Sequence, residues 1–166
     1  MKSRDRSYER ITKADLARLA AIAANDRRDL FARRSETRRL YSDRLFAVAL
    51  CPGGALHYID KRTGIKDFDV WSFFRAHPKR LFPYRRRGKL DFGDPKFGRT
   101  RDSPLFTGRQ VDHIGRSILA DDYSDPVAVL RRYLRTGATE SARRLAQKAV
   151  VLVHPARLLG TIVWPE

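Results

Sequence analysis

Residues 45–54, LFAVALCPGG, and residues 65–74, IKDFDVWSFF, are the stretches of the chain that decide the fold. A short continuous apolar run that ends in Pro-Gly-Gly is typical of a buried strand followed by a tight turn. The second stretch is rich in β-branched and aromatic residues and predicts another strand. Between them, residues 55–62 (ALHYIDKR) predict a short helix that Thr63-Gly64 ends. The centre of the chain is therefore expected to run strand, turn, helix, strand.

Helices are expected on both sides of this centre. Thr12, with Asp15 three residues later, forms a variant of the capping box and predicts the start of a helix. A second helix is predicted over residues 29–41, and Asn25-Asp26 is only a weak break between the two. Further along, we expect a long loop over 77–108, a strand over 109–118, helices over 126–134 and from 140 towards 151, and a short strand or docked tail within 160–166.

This order of elements predicts an α+β fold with a small mixed sheet. The 166 residues suit one domain, 1–166. In it, N-terminal helices occupy 1–44, a motif core occupies 45–118, and C-terminal helices and a tail occupy 124–166.

Charge is the strongest compositional signal. The chain has 35 Lys+Arg against 19 Asp+Glu and a formal net charge of +16. A hydrophobic content of 42% excludes a disordered basic tail. Such a basic protein favours a polyanionic partner, namely nucleic acid, nucleotide phosphates or an acidic membrane surface.

The setting is predicted to be the cytoplasm, without a membrane partner. The N-terminal residues carry no apolar segment, and the apolar runs elsewhere are too short to cross a bilayer. Cys51 is the only cysteine, which excludes an intrachain disulfide and a cysteine-based zinc site. Its place inside an apolar run is typical of a core residue rather than a nucleophile.

Three aspartates carry the chemistry that the sequence suggests. Asp67 and Asp69 alternate in the second strand, so their side chains should share one face. Two such carboxylates repel each other unless a cation lies between them, and Mg²⁺ prefers oxygen ligands of this kind. Asp112 is a third isolated acid, within the apolar run of 110–114. The alternative is that all three are ordinary strand-end or salt-bridged residues.

The glycine pair supplies context for these acids. Gly53 and Gly54 would let backbone N–H groups approach a phosphate at the N-terminus of a helix. Together, the turn and the acids resemble the nucleotidyltransferase superfamily related to DNA polymerase β. Gly53-Gly54, twelve intervening residues and Asp67-Phe68-Asp69-Val70 match its signature, and Asp112 stands where its third carboxylate lies. The resemblance covers about residues 45–116; Gly54 replaces the commoner Ser.

The resemblance implies a reaction and roles for these residues. A nucleoside monophosphate would pass from an NTP to a hydroxyl, with release of pyrophosphate. Asp67, Asp69 and Asp112 would be the catalytic and metal-binding carboxylates, with Asp67 and Asp69 holding two Mg²⁺ ions. Asp112 would bind the ion nearer the acceptor hydroxyl and help to deprotonate it. The backbone of Gly53 and Gly54 would line the triphosphate.

A basic segment over residues 80–87, RLFPYRRR, adds nucleotide-binding candidates. Arg85 and Arg86 are predicted to contact phosphates, because arginine does so bidentately. Lys66, beside the acidic pair, is a further candidate. The neighbouring aromatics Phe82 and Tyr84 would stack on a base. The alternative is a solvated loop whose aromatic side chains pack into the core.

The leading interpretation is a Mg²⁺-dependent nucleotidyltransferase that uses an NTP and acts on, or docks to, RNA or another polyanion. The alternative is a catalytically inactive module of the same fold that binds nucleic acid or a protein partner. A metal-dependent nuclease is the weaker third interpretation, because no Glu-x-Lys pair follows the acids. His113 alternates with Asp112, so it is expected to face away from the acids in a structural role.

Overall fold

The computed structural model describes residues 5–83 and 87–166. Within these ranges the chain forms five α-helices and one six-stranded mixed sheet, which confirms the predicted α+β class. The helices are α1 (Lys13–Arg33), α2 (Ser35–Tyr41), α3 (Gly53–Asp60), α4 (Pro126–Thr136) and α5 (Glu140–Ala146). The strands are β1 (Leu45–Cys51), β2 (Phe68–Arg75), β3 (Arg87–Asp91), β4 (Gln110–Ile118), β5 (Val150–His154) and β6 (Ile162–Trp164).

The strands lie in the order β3-β4-β2-β1-β5-β6. β2 and β4 run parallel and pair from Phe68 and Val111 to Arg75 and Ile118, whereas the other neighbouring strands are antiparallel. Because β2 and β4 point the same way, their amino-terminal ends meet at one edge of the sheet. Register partners in a sheet share a face. This edge is where the acidic residues lie.

Helices cover both faces of the sheet. On one face, Phe68 and Val70 of β2 lie in a core cluster with Leu16 and Leu19 of α1, and α3 contributes Ala55 to it. On the other face, Trp71 and Phe73 of β2 cluster with residues of β4, α4 and α5: Ile114, Leu130, Leu134 and Leu145. The central strand β1 is buried on both faces, which explains its continuous apolar sequence.

The first helix starts as predicted but runs further. Thr12 accepts a hydrogen bond from the backbone N–H of Asp15, and its own N–H donates to the Asp15 carboxylate at 2.8 Å. Asn25-Asp26 does not interrupt the helix. The side chain of Asp26 is buried and contacts His113 of β4, which holds this part of α1 on the sheet. The break falls at Arg34 instead, so the predicted helix over 29–41 is divided between α1 and α2.

Two predictions are wrong. The segment 77–108, expected to be a loop, contains β3 and a 3₁₀ turn at Pro95–Phe97. β3 pairs antiparallel with β4, but its sequence RGKLD has a single apolar residue, so the strand has no hydrophobic pattern. The helix expected to run towards Val151 ends at Ala146, and Val150–His154 forms β5 against β1. Its run of β-branched residues favours a strand once a partner is present.

The remaining predicted elements differ only at their ends. β1 has the predicted bounds, α3 begins at Gly53 itself, and β4 begins one residue later than expected. β2 begins at Phe68 rather than Ile65, because Ile65 forms an isolated bridge with Ser7. The predicted C-terminal strand is confirmed as β6. Among the described residues, no helix is both long enough and apolar enough to cross a membrane.

Candidate functional site

Three aspartates come together at the amino-terminal edge of β2 and β4. Asp67 directly precedes β2, Asp69 is the second residue of β2, and Asp112 lies near the start of β4. Asp69 and Asp112 are register partners on these parallel strands, so their side chains project from the same face. One carboxylate oxygen from each of the three residues lies within 4.8 Å of the others. The alternation of Asp67 and Asp69 predicted that these two share a face, and the resemblance to nucleotidyltransferases implied that Asp112 joins them.

The three carboxylates repel one another. Asp112 is fully buried, and Asp67 and Asp69 are half-buried. Burial, together with the charges of Asp67 and Asp112, raises the pKa of Asp69 to about 7. Burial and the charge of Asp112 raise the pKa of Asp67 as well. The cluster therefore resists full ionisation at neutral pH unless a cation compensates it.

One oxygen of the cluster is left without a hydrogen bond. Oδ1 of Asp69 is buried and accepts none from the part of the chain that the structure describes. By contrast, Oδ1 of Asp112 accepts from the side-chain amide of Gln110 at 2.9 Å. A buried carboxylate oxygen without a partner is costly, and a hard divalent cation such as Mg²⁺ takes ligands of this type. The donor set therefore fits such an ion.

Arg87 is the cation that already contacts the cluster. Its Nη2 donates a hydrogen bond to Oδ2 of Asp112 and lies 3.9 Å from Oδ1 of Asp69. This hydrogen bond raises the pKa of the Arg87 guanidinium. Arg87 was predicted only as the last residue of the basic segment 80–87, and its contact with the acids was not predicted because that contact depends on strand β3. The candidates chosen beside it, Arg85 and Arg86, lie outside the described residues.

The two glycines begin a helix instead of forming a free turn. Gly53 and Gly54 are the first residues of α3, which has Pro52 as its N-cap and no side-chain cap from any described residue. A Cβ added to Gly54 would lie 3.0 Å from Cδ1 of Leu50, so this glycine permits close packing of α3 on β1. Cys51 is the register partner of Asp69, which brings the N-terminus of α3 beside the acids.

Lys148 lies near the same helix end. A Cβ added to Gly53 would be 3.9 Å from Nζ of Lys148, which follows α5 in the chain. No local feature of the sequence indicates this contact, because residues 53 and 148 are brought together by the pairing of β5 with β1. An ammonium and the positive end of a helix thus share one region, which favours an anion there.

A cavity of about 260 Å³ opens beside the acidic cluster, between the sheet and α5. Apolar side chains supply part of its wall, and two arginines and one carboxylate supply its charge. Its lining residues are Pro52, Asp69, Trp71, Arg87, Ile114, Ser141, Arg144 and Leu145. A cavity that combines an apolar wall with a few charged groups is typical of a small-molecule site.

Lys66, the remaining nucleotide-binding candidate, is exposed and does not line this cavity. Its charge opposes the rise in the pKa of Asp67, so it lies within electrostatic reach of the cluster. Its backbone has a clearer role. The carbonyl oxygen of Lys66 accepts from Nη1 of the buried Arg109 at 2.8 Å.

Arg109 supports the loop that carries Asp67. Its guanidinium donates to the carbonyls of Ile65 and Lys66, and also to those of Phe97 and Arg99 in the connection before β4. These hydrogen bonds join the segment before β2 to the segment before β4. The backbone on both sides of the acidic cluster is therefore held by one buried side chain.

His113 faces away from the acids, as its alternation with Asp112 predicted. Nδ1 of His113 lies 2.6 Å from Oδ2 of Asp26 in α1, and Nε2 lies 2.7 Å from Oγ of Ser72 in β2. Arg27 also donates to the Ser72 hydroxyl at 3.0 Å. All contacts of this network are consistent when Nδ1 donates to Asp26 and Ser72 donates to Nε2. It ties α1 to both strands that carry the acids.

Cys51 has the predicted core role. The side chain is fully buried, and burial followed by the charge of Asp69 raises the pKa of its thiol. A thiol in this state is a poor nucleophile, since the thiolate is the reactive form.

Comparison of the chain with protein-family models, with curated proteins and with solved structures finds no match.

Proposed function

We propose that the protein is a Mg²⁺-dependent nucleotidyltransferase that transfers a nucleoside monophosphate from an NTP to a hydroxyl acceptor. One observation carries the proposal: Asp67, Asp69 and Asp112 converge beside the N-terminus of α3, which no described side chain caps. Carboxylates that bind a metal and N–H groups that bind phosphate are the two parts that this chemistry requires. The cavity next to them offers room for a small ligand.

Asp67, Asp69 and Asp112 would hold the Mg²⁺, with the buried Oδ1 of Asp69 as one ligand atom. When bound, the ions would neutralise the phosphates and stabilise the charge that develops on the attacking and leaving oxygens. The acceptor oxygen forms a bond to the α-phosphorus while the bond from that phosphorus to the bridging oxygen breaks. Pyrophosphate leaves, and Asp112 helps to take the proton of the acceptor hydroxyl.

The remaining groups of the site would bind the nucleotide. The backbone N–H groups of Gly53 and Gly54 would face the phosphates, and Lys148 and Arg144 would add positive charge on the same side. Trp71 and Ile114 give the cavity an apolar wall that suits a base or ribose. These groups belong to four separate parts of the chain, which meet at this edge of the sheet.

RNA is the macromolecular acceptor that the net charge of +16 favours. A chain that uses NTP and RNA is expected in the cytoplasm. A second candidate function is a catalytically inactive nucleic-acid-binding or partner-binding module. The ion pair of Arg87 with Asp112 supports that alternative, since an internal cation can replace a metal as a structural counter-ion.

The test is nucleotide transfer by the purified protein. The protein is incubated with each α-³²P-labelled NTP, Mg²⁺ and a pool of short RNAs, and labelled products are separated on a gel. Asp69→Asn and Asp112→Asn should abolish labelling, whereas Asp121→Asn, an exposed acid of the loop after β4, should retain it. Equal labelling by all three variants would contradict the proposed site. RNA binding that ignores Mg²⁺ and these aspartates, without any labelling, would support the inactive module.

A further inference from the structure

Arg87 and a divalent cation would compete for the same oxygens. The guanidinium contacts Oδ2 of Asp112 and approaches Oδ1 of Asp69, and both residues belong to the group that can hold a metal. Two cations cannot share these atoms without repelling each other at short range. Binding of a metal therefore requires Arg87 to give up its hydrogen bond to Asp112.

Asp112 cannot lose Arg87 without a replacement. Its side chain is fully buried, and its other oxygen is already hydrogen-bonded to Gln110. Removal of one partner from a buried carboxylate leaves an uncompensated charge, which is strongly unfavourable. A divalent cation supplies that compensation with twice the charge of a guanidinium. Exchange of the two is thus chemically reasonable, whereas simple departure of Arg87 is not.

The neighbouring cavity offers the Arg87 side chain an alternative position once its guanidinium leaves Asp112. The Arg87 side chain is 56% exposed and lines the same cavity as Arg144. A phosphate group in that cavity would offer the guanidinium a bidentate partner in place of the carboxylate. A ligand that brings both a metal ion and phosphates therefore satisfies Asp112 and Arg87 in one step.

We propose, on the basis of the function proposed above, that Arg87 is an exchangeable counter-ion that selects metal-bound polyphosphates. Without ligand it neutralises the acidic cluster. When a metal–polyphosphate complex binds, the metal replaces Arg87 at the carboxylates and Arg87 moves to the phosphates. The metal alone binds weakly, because it must displace Arg87 into water. The polyphosphate alone also binds weakly, because the carboxylates repel it and Arg87 stays with them.

The experiment uses calorimetric titration of the full chain with two probes, Mg²⁺ alone and inorganic triphosphate preloaded with Mg²⁺. The wild-type protein should bind the loaded triphosphate well and Mg²⁺ alone poorly. In Arg87→Ala, affinity for Mg²⁺ alone should rise about tenfold, the scale of one charge-assisted hydrogen bond, and affinity for the loaded triphosphate should fall by a similar factor. Arg135→Ala, which removes an arginine paired with Glu166, should change neither value.

Opposite changes in the two affinities would distinguish exchange from simple loss of charge. If Arg87→Ala weakens both probes, or leaves Mg²⁺ binding unchanged, the exchange is wrong although the metal site stands. If neither protein binds either probe, the proposed function itself fails. If Arg87→Ala folds poorly, thermal unfolding of Arg87→Gln replaces it in the test. Mg²⁺ should raise the melting temperature of Arg87→Gln more than that of the wild type, and an equal or smaller rise would contradict the exchange.

Discussion

Asp69 of β2 and Asp112 of β4 are register partners on parallel strands, and both side chains leave the same face of the sheet. Antiparallel pairing of these strands would have put the start of one strand beside the end of the other. The parallel pairing instead brings the first acids of both strands to the edge at which α3 begins. The candidate site is thus a consequence of strand direction and register.

The pH dependence of stability should reveal the repulsion within the cluster. The pKa of Asp69 is about 7 in the folded chain against 3.8 for a free side chain, so the folded state binds this proton more tightly. The contribution of Asp69 to stability must then fall by about 2–4 kcal/mol as pH rises from about 4 to about 7, and it is read as the difference between the wild type and Asp69→Asn. We expect this fall in urea unfolding with EDTA present. A difference that stays constant or rises through this window would be inconsistent with the cluster.

Arg109 should be essential for the loop that carries Asp67. Arg109→Leu removes the buried donors to the carbonyls of Ile65, Lys66, Phe97 and Arg99. We expect a loss of about 3–5 kcal/mol in the free energy of unfolding, measured in urea. Arg99→Leu, an exposed neighbour, is the control and should change stability by less than about 0.5 kcal/mol. Equal losses in both variants would argue against this role for Arg109.

Ser72→Ala should weaken the network behind the acids. The hydroxyl joins His113 to Arg27, so its removal takes one partner from each of two largely buried polar groups. The expected loss is about 1–3 kcal/mol in the free energy of unfolding. Ser42→Ala, at an exposed serine, should lie within about 0.5 kcal/mol of the wild type. A neutral Ser72→Ala would mean that α1 does not depend on this network.

Substitution of the two glycines of α3 should affect two different properties: helix packing at Gly54 and ligand binding at Gly53. A Cβ at Gly54 meets Leu50 at 3.0 Å, so Gly54→Ala should cost about 1–3 kcal/mol of stability. A Cβ at Gly53 would lie 3.9 Å from Nζ of Lys148, which is an ordinary van der Waals distance, so Gly53→Ala should fold normally. If this helix end binds phosphate, the added methyl group should hinder the close approach of phosphate to the backbone N–H of residue 53. Gly53→Ala should then weaken binding of Mg²⁺-loaded triphosphate while its melting temperature stays unchanged. Unchanged binding would remove Gly53 from the site.

The sequence carried enough information for the elements that bury a continuous or alternating apolar pattern. β1 was predicted because it is apolar on both faces, and β4 because it contains Val111, Ile114 and Ile118. β4 also buries three polar residues, Gln110, Asp112 and His113. β3 could not be predicted, since it is an edge strand whose stability comes from pairing with β4. β5 was assigned to a helix because a short apolar run alone does not distinguish the two structures.

The same limit applies to the candidate site. Asp67 and Asp69 were predicted together because they alternate along one strand, and Asp112 was added through the resemblance to nucleotidyltransferases. The contact of Arg87 with the acids and the place of Lys148 were not predicted, because each depends on a strand pairing. These pairings are β3 with β4 for Arg87 and β5 with β1 for Lys148. A basic residue in a chain with 35 of them carries no signal until its contacts are known.

The decisive measurement is anomalous diffraction from crystals of the full chain soaked in Mn²⁺ together with inorganic triphosphate. Mn²⁺ takes the oxygen ligands that Mg²⁺ takes, and its anomalous signal locates it without ambiguity. We expect a peak within bonding distance of Asp67, Asp69 and Asp112, and no peak at this place in Asp69→Asn crystals. Mn²⁺ bound elsewhere, with Arg87 still hydrogen-bonded to Asp112, would contradict a metal-dependent function for this site.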